Sequence, residues 1–305
     1  MKQKETDKTL VVLLGPTGVG KSDLSIRLAL YYDTDIISSD SRQIYRELSI
    51  GTAVPAPSDL QKAKHHLIHS HSIHDYYSAS HFEEDVIKIL QSLFTERNTV
   101  IMTGGSMLYI DAVCRGMDNL PDADLELRAE LTREFGEKGV EHLRLRLKQL
   151  DPDYYAVVDL KNPKRLLHAL EVCLTTGKPY SSFLTGPRKE RSFRIIKIGL
   201  NLDREELYER INRRVDQMIE SGLEEEARRV YSLRHLNSLN TVGYKELFAF
   251  FDGITGKEEA IELIKRNSRH YARRQLTWFR RDADITWFRP EQDQEIIQFI
   301  QDQQK

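Results

Sequence analysis

Residues 15–22 read GPTGVGKS, and no other stretch limits the possible folds of this chain so strongly. The octapeptide follows a β-rich apolar run, TLVVLL at 9–14, and precedes residues 21–32, where apolar side chains recur at helical spacing. Strand, glycine loop and helix are therefore expected in that order, the context in which the G-x(4)-G-K-[ST] pattern cradles phosphate. Glycines 15, 18 and 20 open backbone angles closed to other residues and let loop amides approach phosphate oxygens. Lys21 adds a point charge and Ser22 a hydroxyl suited to Mg²⁺. The expected diphosphate-binding set is thus Gly15, Pro16, Thr17, Gly18, Val19, Gly20, Lys21 and Ser22.

Further strands at 35–38 and 99–103 alternate with a helical pattern at 81–96, so the class is α/β with a parallel sheet. The strand at 99–103 ends in threonine and glycine, not in the aspartate of a typical Walker B, which argues against a motor-type ATPase. From residue 120 the chain becomes highly charged and helical in period, and β-branched residues return only at 193–200. We expect a P-loop core at 1–118, an inserted helical subdomain at 119–162, and a return to the core with C-terminal helices at 163–305. Helical patterns at 204–220, 223–234 and 244–251 precede a long helix starting near 257. No internal repeat is visible.

No apolar run approaches the ~18 residues that would span a bilayer, and residues 1–9 carry no leader pattern, so a cytoplasmic, membrane-free protein is expected. The two cysteines, Cys114 and Cys173, match neither a disulfide framework nor a metal site, and both are expected reduced within helices. The net charge of −2 argues against nucleic acid as an average, but residues 264–281 contain seven lysines and arginines and no acid.

After GPTGVGKS come DSRQIY at 40–45, IGTAVP at 50–55, HHLI at 65–68, YSASHF at 77–82 and GGSMLY at 104–109. RLLHALEV at 165–172, VGYKE at 242–246 and RRQLTWFR at 273–280 complete a colinear series. The series resembles bacterial tRNA dimethylallyltransferases over most of the chain. The resemblance implies transfer of a dimethylallyl group from dimethylallyl diphosphate to N6 of the adenine beside the 3′ end of the anticodon. Ser106, His168 and Asn240 depart from residues common in that family, and each is polar.

An exocyclic adenine amine is a weak nucleophile, because its lone pair is delocalised into the ring, so transfer needs a base, a stabilised leaving group and alignment. Asp40, two residues past a strand end at the ligand-gathering edge of a parallel sheet, matches the family's adenine-contacting aspartate and is the expected base. Thr17 and Lys21 can stabilise charge on the departing diphosphate, and Arg214, in RINRRVDQM at 210–218, matches a family arginine that reaches it. Mg²⁺ is expected to bridge Ser22 and the diphosphate.

The resemblance also assigns tRNA contact to Asp40, Ser41, Arg42 and Gln43, to Ser106 and Arg128, and to Lys164, Arg165, Leu166, Leu167 and His168. Arg273 and Arg274 are expected to join the tRNA grip on the basic helix, whose Tyr271 and Trp278, seven apart, read as core. The expected partners are a tRNA anticodon stem-loop and dimethylallyl diphosphate, with the protein a monomer. Histidines crowd 65–81, and His65 with His69 has the i, i+4 spacing of a metal pair, but no cysteine accompanies them and ordinary polar contacts are expected. Two other readings of the P-loop are a nucleoside or nucleotide kinase, with Arg210–Arg214 as lid arginines, and a nucleotide-regulated RNA-binding protein.

Overall fold

In the computed structural model, which describes residues 7–118, 120–121, 124–184, 186 and 189–305, every residue of the first strand, β1 (Thr9–Leu14), is buried. That pattern belongs to a parallel strand covered on both faces. β1 is central in a six-stranded sheet with β2 (Ile36–Ser38), β3 (His65–His66), β4 (Thr99–Gly104), β5 (Arg194–Leu200) and β6 (Ile285–Phe288). The order is β3-β2-β4-β1-β5-β6, and all pairings are parallel. Leu13 lies beside Thr103 on β4 and Ile198 on β5, which fixes the register at the strand ends where the phosphate loop leaves.

The loop feeds α1 (Lys21–Tyr32), with the expected boundaries. α2 (Pro57–Lys62) and α3 (Ala79–Leu93) follow, and α4 (Met107–Arg115) leaves the end of β4. After β5 the chain forms α8 (Arg204–Glu220), α9 (Leu223–Val230), α10 (Tyr244–Phe251) and α11 (Lys257–Phe279), and α12 (Asp293–Gln304) ends it. One core unites Val11, Leu13 and Ile198 of the sheet with Leu24 and Leu28 of α1, Leu207 and Ile211 of α8, Ala272 of α11 and Ile296 of α12. Cys114 and Cys173 are free thiols in helices, as the sequence suggested.

Between α4 and β5 the chain builds a second compact unit, Gly116–Lys189, from α5 (Leu125–Leu150, broken at Gly139), α6 (Pro152–Val157) and α7 (Pro163–Thr176). The expected boundary at 162 falls too early. Leu166, Ala169, Leu170 and Cys173 of α7 share a buried core with Leu143 and Leu147 of α5, so residues 163–189 stay with the helical unit.

Candidate active site

Gly15 adopts φ 148°, and a Cβ there would lie 2.6 Å from the carbonyl oxygen of Leu200 on β5, so only glycine lets the loop leave between β1 and β5. Gly20, at φ 103°, precedes α1. The Lys21 ammonium curls back to donate to the carbonyls of Gly15 (3.0 Å) and Pro16 (2.8 Å), closing the loop beneath the α1 N-terminus. Over this loop α8 places Arg210, Arg213 and Arg214, spaced to share a helix face, around a cavity of ≈ 480 Å³ that Lys21 and Ser22 also line. Burial, then repulsion from Arg214, lowers the Lys21 pKa from 10.5 to about 7, with Asp40 opposing. Burial likewise lowers the pKa of Arg214, again with Asp40 opposing. Two basic side chains thus share a small space in which an anion would relieve their mutual repulsion.

Ser22 presents an exposed hydroxyl to this cavity, and among the described residues no group of three or more His, Cys, Asp or Glu is arranged to hold a metal. That donor set suits a magnesium ion that takes most of its ligands from diphosphate and water.

A second cavity of ≈ 300 Å³ adjoins the first, and Arg214 lines both. Its Nη1 donates to Thr17 Oγ1 at 3.4 Å, and Thr17 and Asp40 line this second space. Asp40 Oδ1 accepts from the backbone amides of Arg42 (2.9 Å) and Gln43 (3.3 Å), an arrangement that fixes the carboxylate at the end of β2. Tyr271 and Arg274 of α11 form the facing wall, with the guanidinium 5.6 Å above the tyrosine ring. Burial, reinforced by Asp40, pushes the Tyr271 phenol up to about 12, so it stays protonated.

The remaining expected contacts divide. Ser41 and Arg42 line the second cavity, although Arg42 also donates to the Ser238 carbonyl at 2.9 Å. Ser106 is buried and its hydroxyl bonds the Ser41 amide (2.8 Å) and hydroxyl (3.1 Å). Gln43 accepts from Ser38 and donates to the carbonyls of Thr52 and Ala53, so its amide braces the loop at 51–53.

In the helical unit, Lys164 and Arg165 are exposed and Arg128 pairs with the buried Glu171 at 2.6 Å. Leu166 is fully buried in that unit's core, so the expected RNA contact does not fit its side chain; helical period turns it inward while its two predecessors face out. Leu167 packs partly against the same core, and His168 lies edge-on to Tyr180.

The basic residues of α11 do not all point the same way. Lys265 pairs with Asp216 at 2.8 Å, and Arg269 bonds Asn212. Arg273 is turned about 100° from Arg274 and lines a separate ≈ 350 Å³ cavity with Arg204 and Arg280. Of the two aromatics read as core, Tyr271 lines the site and Trp278 is exposed, its indole donating to Asp111 at 2.9 Å. A seven-residue spacing shows that two side chains share a face, not that the face is buried.

The histidines make local bonds. His65 contacts the Ala63 carbonyl, His66 bonds Asp35, and His69 meets Ser49. His65 lies in β3, and Leu67 and His69 have left-handed backbone angles, so the i, i+4 spacing has no helix to act on.

Two buried residues that shape the site were missed in the sequence. Glu226 of α9 accepts from the amides of Ser49, Ile50 and Gly51, each at 2.9 Å, and from the Tyr244 hydroxyl at 2.6 Å. The signal was available, because Leu223, Ala227 and Val230 mark the inward face of α9 on which Glu226 also lies. Gln275 of α11 accepts from the Thr17 amide and sits among exposed arginines that mask its position.

A family model described as IPP transferase matches residues 43–282. The chain is 57% identical over 292 residues to tRNA dimethylallyltransferase 1 of Bacteroides thetaiotaomicron, a match covering 96% of this chain and 95% of that protein. The crystal structure of the full-length tRNA isopentenylpyrophosphate transferase from Bacillus halodurans is 36% identical, with a TM-score of 0.71, and the match covers 99% of this chain and 97% of that one. A eukaryotic dimethylallyltransferase described as acting on tRNA gives a TM-score of 0.79 at 25% identity, covering 93% of this chain and 74% of its own.

Proposed function

The chain belongs to the IPP transferase family, and on that footing we propose that it moves a dimethylallyl group from dimethylallyl diphosphate to N6 of the adenine 3′ of the anticodon in tRNA, releasing pyrophosphate. The observation that carries this reading is the pair of adjoining cavities. A cationic one above the phosphate loop shares Arg214 with one lined by Thr17, Asp40 and Tyr271. A nucleotide kinase would also need a donor and an acceptor pocket, so the choice between the two readings rests on the family to which the chain belongs. A prenyl diphosphate spanning the junction puts its leaving group among cations and its reactive carbon toward Asp40.

Asp40, anchored through Oδ1, takes the proton that the adenine amine loses as the N6–carbon bond forms. The carbon–oxygen bond breaks toward the diphosphate, whose growing charge is met by Lys21, by Arg214 and by the Thr17 hydroxyl that Arg214 orients. A magnesium ion held by Ser22 and diphosphate oxygens would add charge stabilisation at the leaving group. Tyr271 and Arg274 supply the apolar and cationic wall for a base turned out of its stack. The exposed Lys164 and Arg165 and the half-exposed Arg128 and His168 give the helical unit cationic and polar groups for the tRNA stem. The tRNA substrate suggests a cytoplasmic enzyme, which we take to act as a monomer; separately, among the described residues no helix is long and apolar enough to cross a membrane.

The test is transfer of radiolabel from dimethylallyl diphosphate into tRNA in the absence of ATP. Incorporation is expected. A requirement for ATP, or phosphorylation of a nucleoside, would return the chain to the kinase reading.

A further inference from the structure

Gln275 is 1% exposed and uses both ends of its amide in different parts of the site. Its Oε1 accepts from the backbone N–H of Thr17 at 2.8 Å, and its Nε2 donates to the carbonyl of Gly105, past the end of β4, also at 2.8 Å. The amide can face only one way, since one partner is a donor and the other an acceptor. The approach is so close that a Cβ at Gly105 would lie 2.2 Å from Nε2. α11 therefore reaches over the C-terminal ends of β1 and β4 to hold the phosphate loop at one residue, the one whose hydroxyl meets Arg214 at 3.4 Å.

The same helix forms the acceptor wall. Tyr271 is one turn before Gln275 and Arg274 immediately precedes it, and both line the cavity that holds Asp40. A shift of α11 on docking of a base against Tyr271 and Arg274 would move Gln275, the residue that accepts from the Thr17 amide. We infer that Gln275 is a positioning residue that couples occupancy of the acceptor cavity to the geometry of Thr17 at the diphosphate, an inference that rests on the two-cavity reading above.

The coupling is measurable without the reaction. Inorganic pyrophosphate with Mg²⁺ serves as the probe for the phosphate loop, and an anticodon stem-loop RNA with adenine 3′ of the anticodon as the probe for the acceptor side. In the wild-type protein, saturating RNA is expected to tighten pyrophosphate binding about tenfold, within the usual range for coupled sites. Gln275→Met keeps length and removes both bonds, and it should reduce the effect of RNA to less than about twofold. Gly105→Ala leaves Gln275 in place but drives its amide away, and should do the same. Because the ratio of affinities with and without RNA is compared within each variant, a general loss of stability does not mimic the result, and melting temperatures identify any variant that fails to fold. A wild-type ratio near one, or variants that keep the wild-type ratio, would overturn the inference. Wild-type protein that couples the two probes but transfers no prenyl group would instead sink the proposed function.

Discussion

Diphosphate binding should draw a proton from solution, because burial leaves Lys21 largely uncharged above neutral pH until the anionic ligand arrives. In the free protein its pKa is about 7, lowered first by burial and then by Arg214. Bound diphosphate places negative charge against the ammonium and restores the protonated form. At about pH 8, one unit above that pKa, about nine-tenths of the free protein carries neutral Lys21, so each pyrophosphate bound should take up about 0.9 proton. At about pH 6 the uptake should fall to about 0.1. Affinity should then decline as pH rises above about 7, by up to tenfold per unit, and be insensitive to Lys21 below it. Calorimetric titrations in buffers of different ionisation enthalpy give the number of protons directly, and the Lys21→Met variant subtracts those exchanged by the ligand. Equal uptake by wild type and variant at about pH 8 would show that Lys21 is already charged in the free protein, and the electrostatic account of this loop would be wrong.

Lys21→Met should raise the melting temperature of the free protein at neutral pH. The gain should shrink between about pH 7 and the ordinary lysine range, because the unfolded chain binds the extra proton throughout that window; a gain independent of pH counts against it. Asp40→Ala should keep RNA affinity and lose roughly 10² or more in single-turnover rate, and an unchanged rate removes Asp40 as the base. Arg274→Ala should impair the use of RNA at the reaction step, whereas Arg273→Ala, on another face of α11, should leave that step intact and lower only the salt dependence of RNA binding. Identical effects from the two arginines would contradict their separation.

The parts of the fold legible in the sequence are those with strong local period or fixed chemistry. The phosphate loop, α1, α8, α10 and the start of α11 lie where spacing and glycines put them. β6 went unread because ITWF, though β-branched and aromatic, is only four residues long, and α12 because Ile296, Ile297, Phe299 and Ile300 are set in a run of glutamines and acids. The extent of the helical unit was misjudged at 162 because α7 is held to it by contacts with α5, which no local pattern announces. Asp40 and Arg214 were visible in the resemblance and Thr17 in the phosphate loop, but their meeting around one cavity is tertiary. Gln275 and Glu226 illustrate the same limit. A buried polar residue shapes a site through partners more than a hundred positions away, and the sequence around it resembles a solvated helix face.

Single-turnover transfer from labelled dimethylallyl diphosphate to an anticodon stem-loop tests the central claim most directly, if run beside a second RNA in which the adenine 3′ of the anticodon is replaced by a purine without its 6-amino group. The account predicts that label enters the first RNA at N6 of that adenine, with one pyrophosphate released for each prenyl group transferred, and does not enter the second. Label entering both RNAs equally, or pyrophosphate released without any label in RNA, would contradict it.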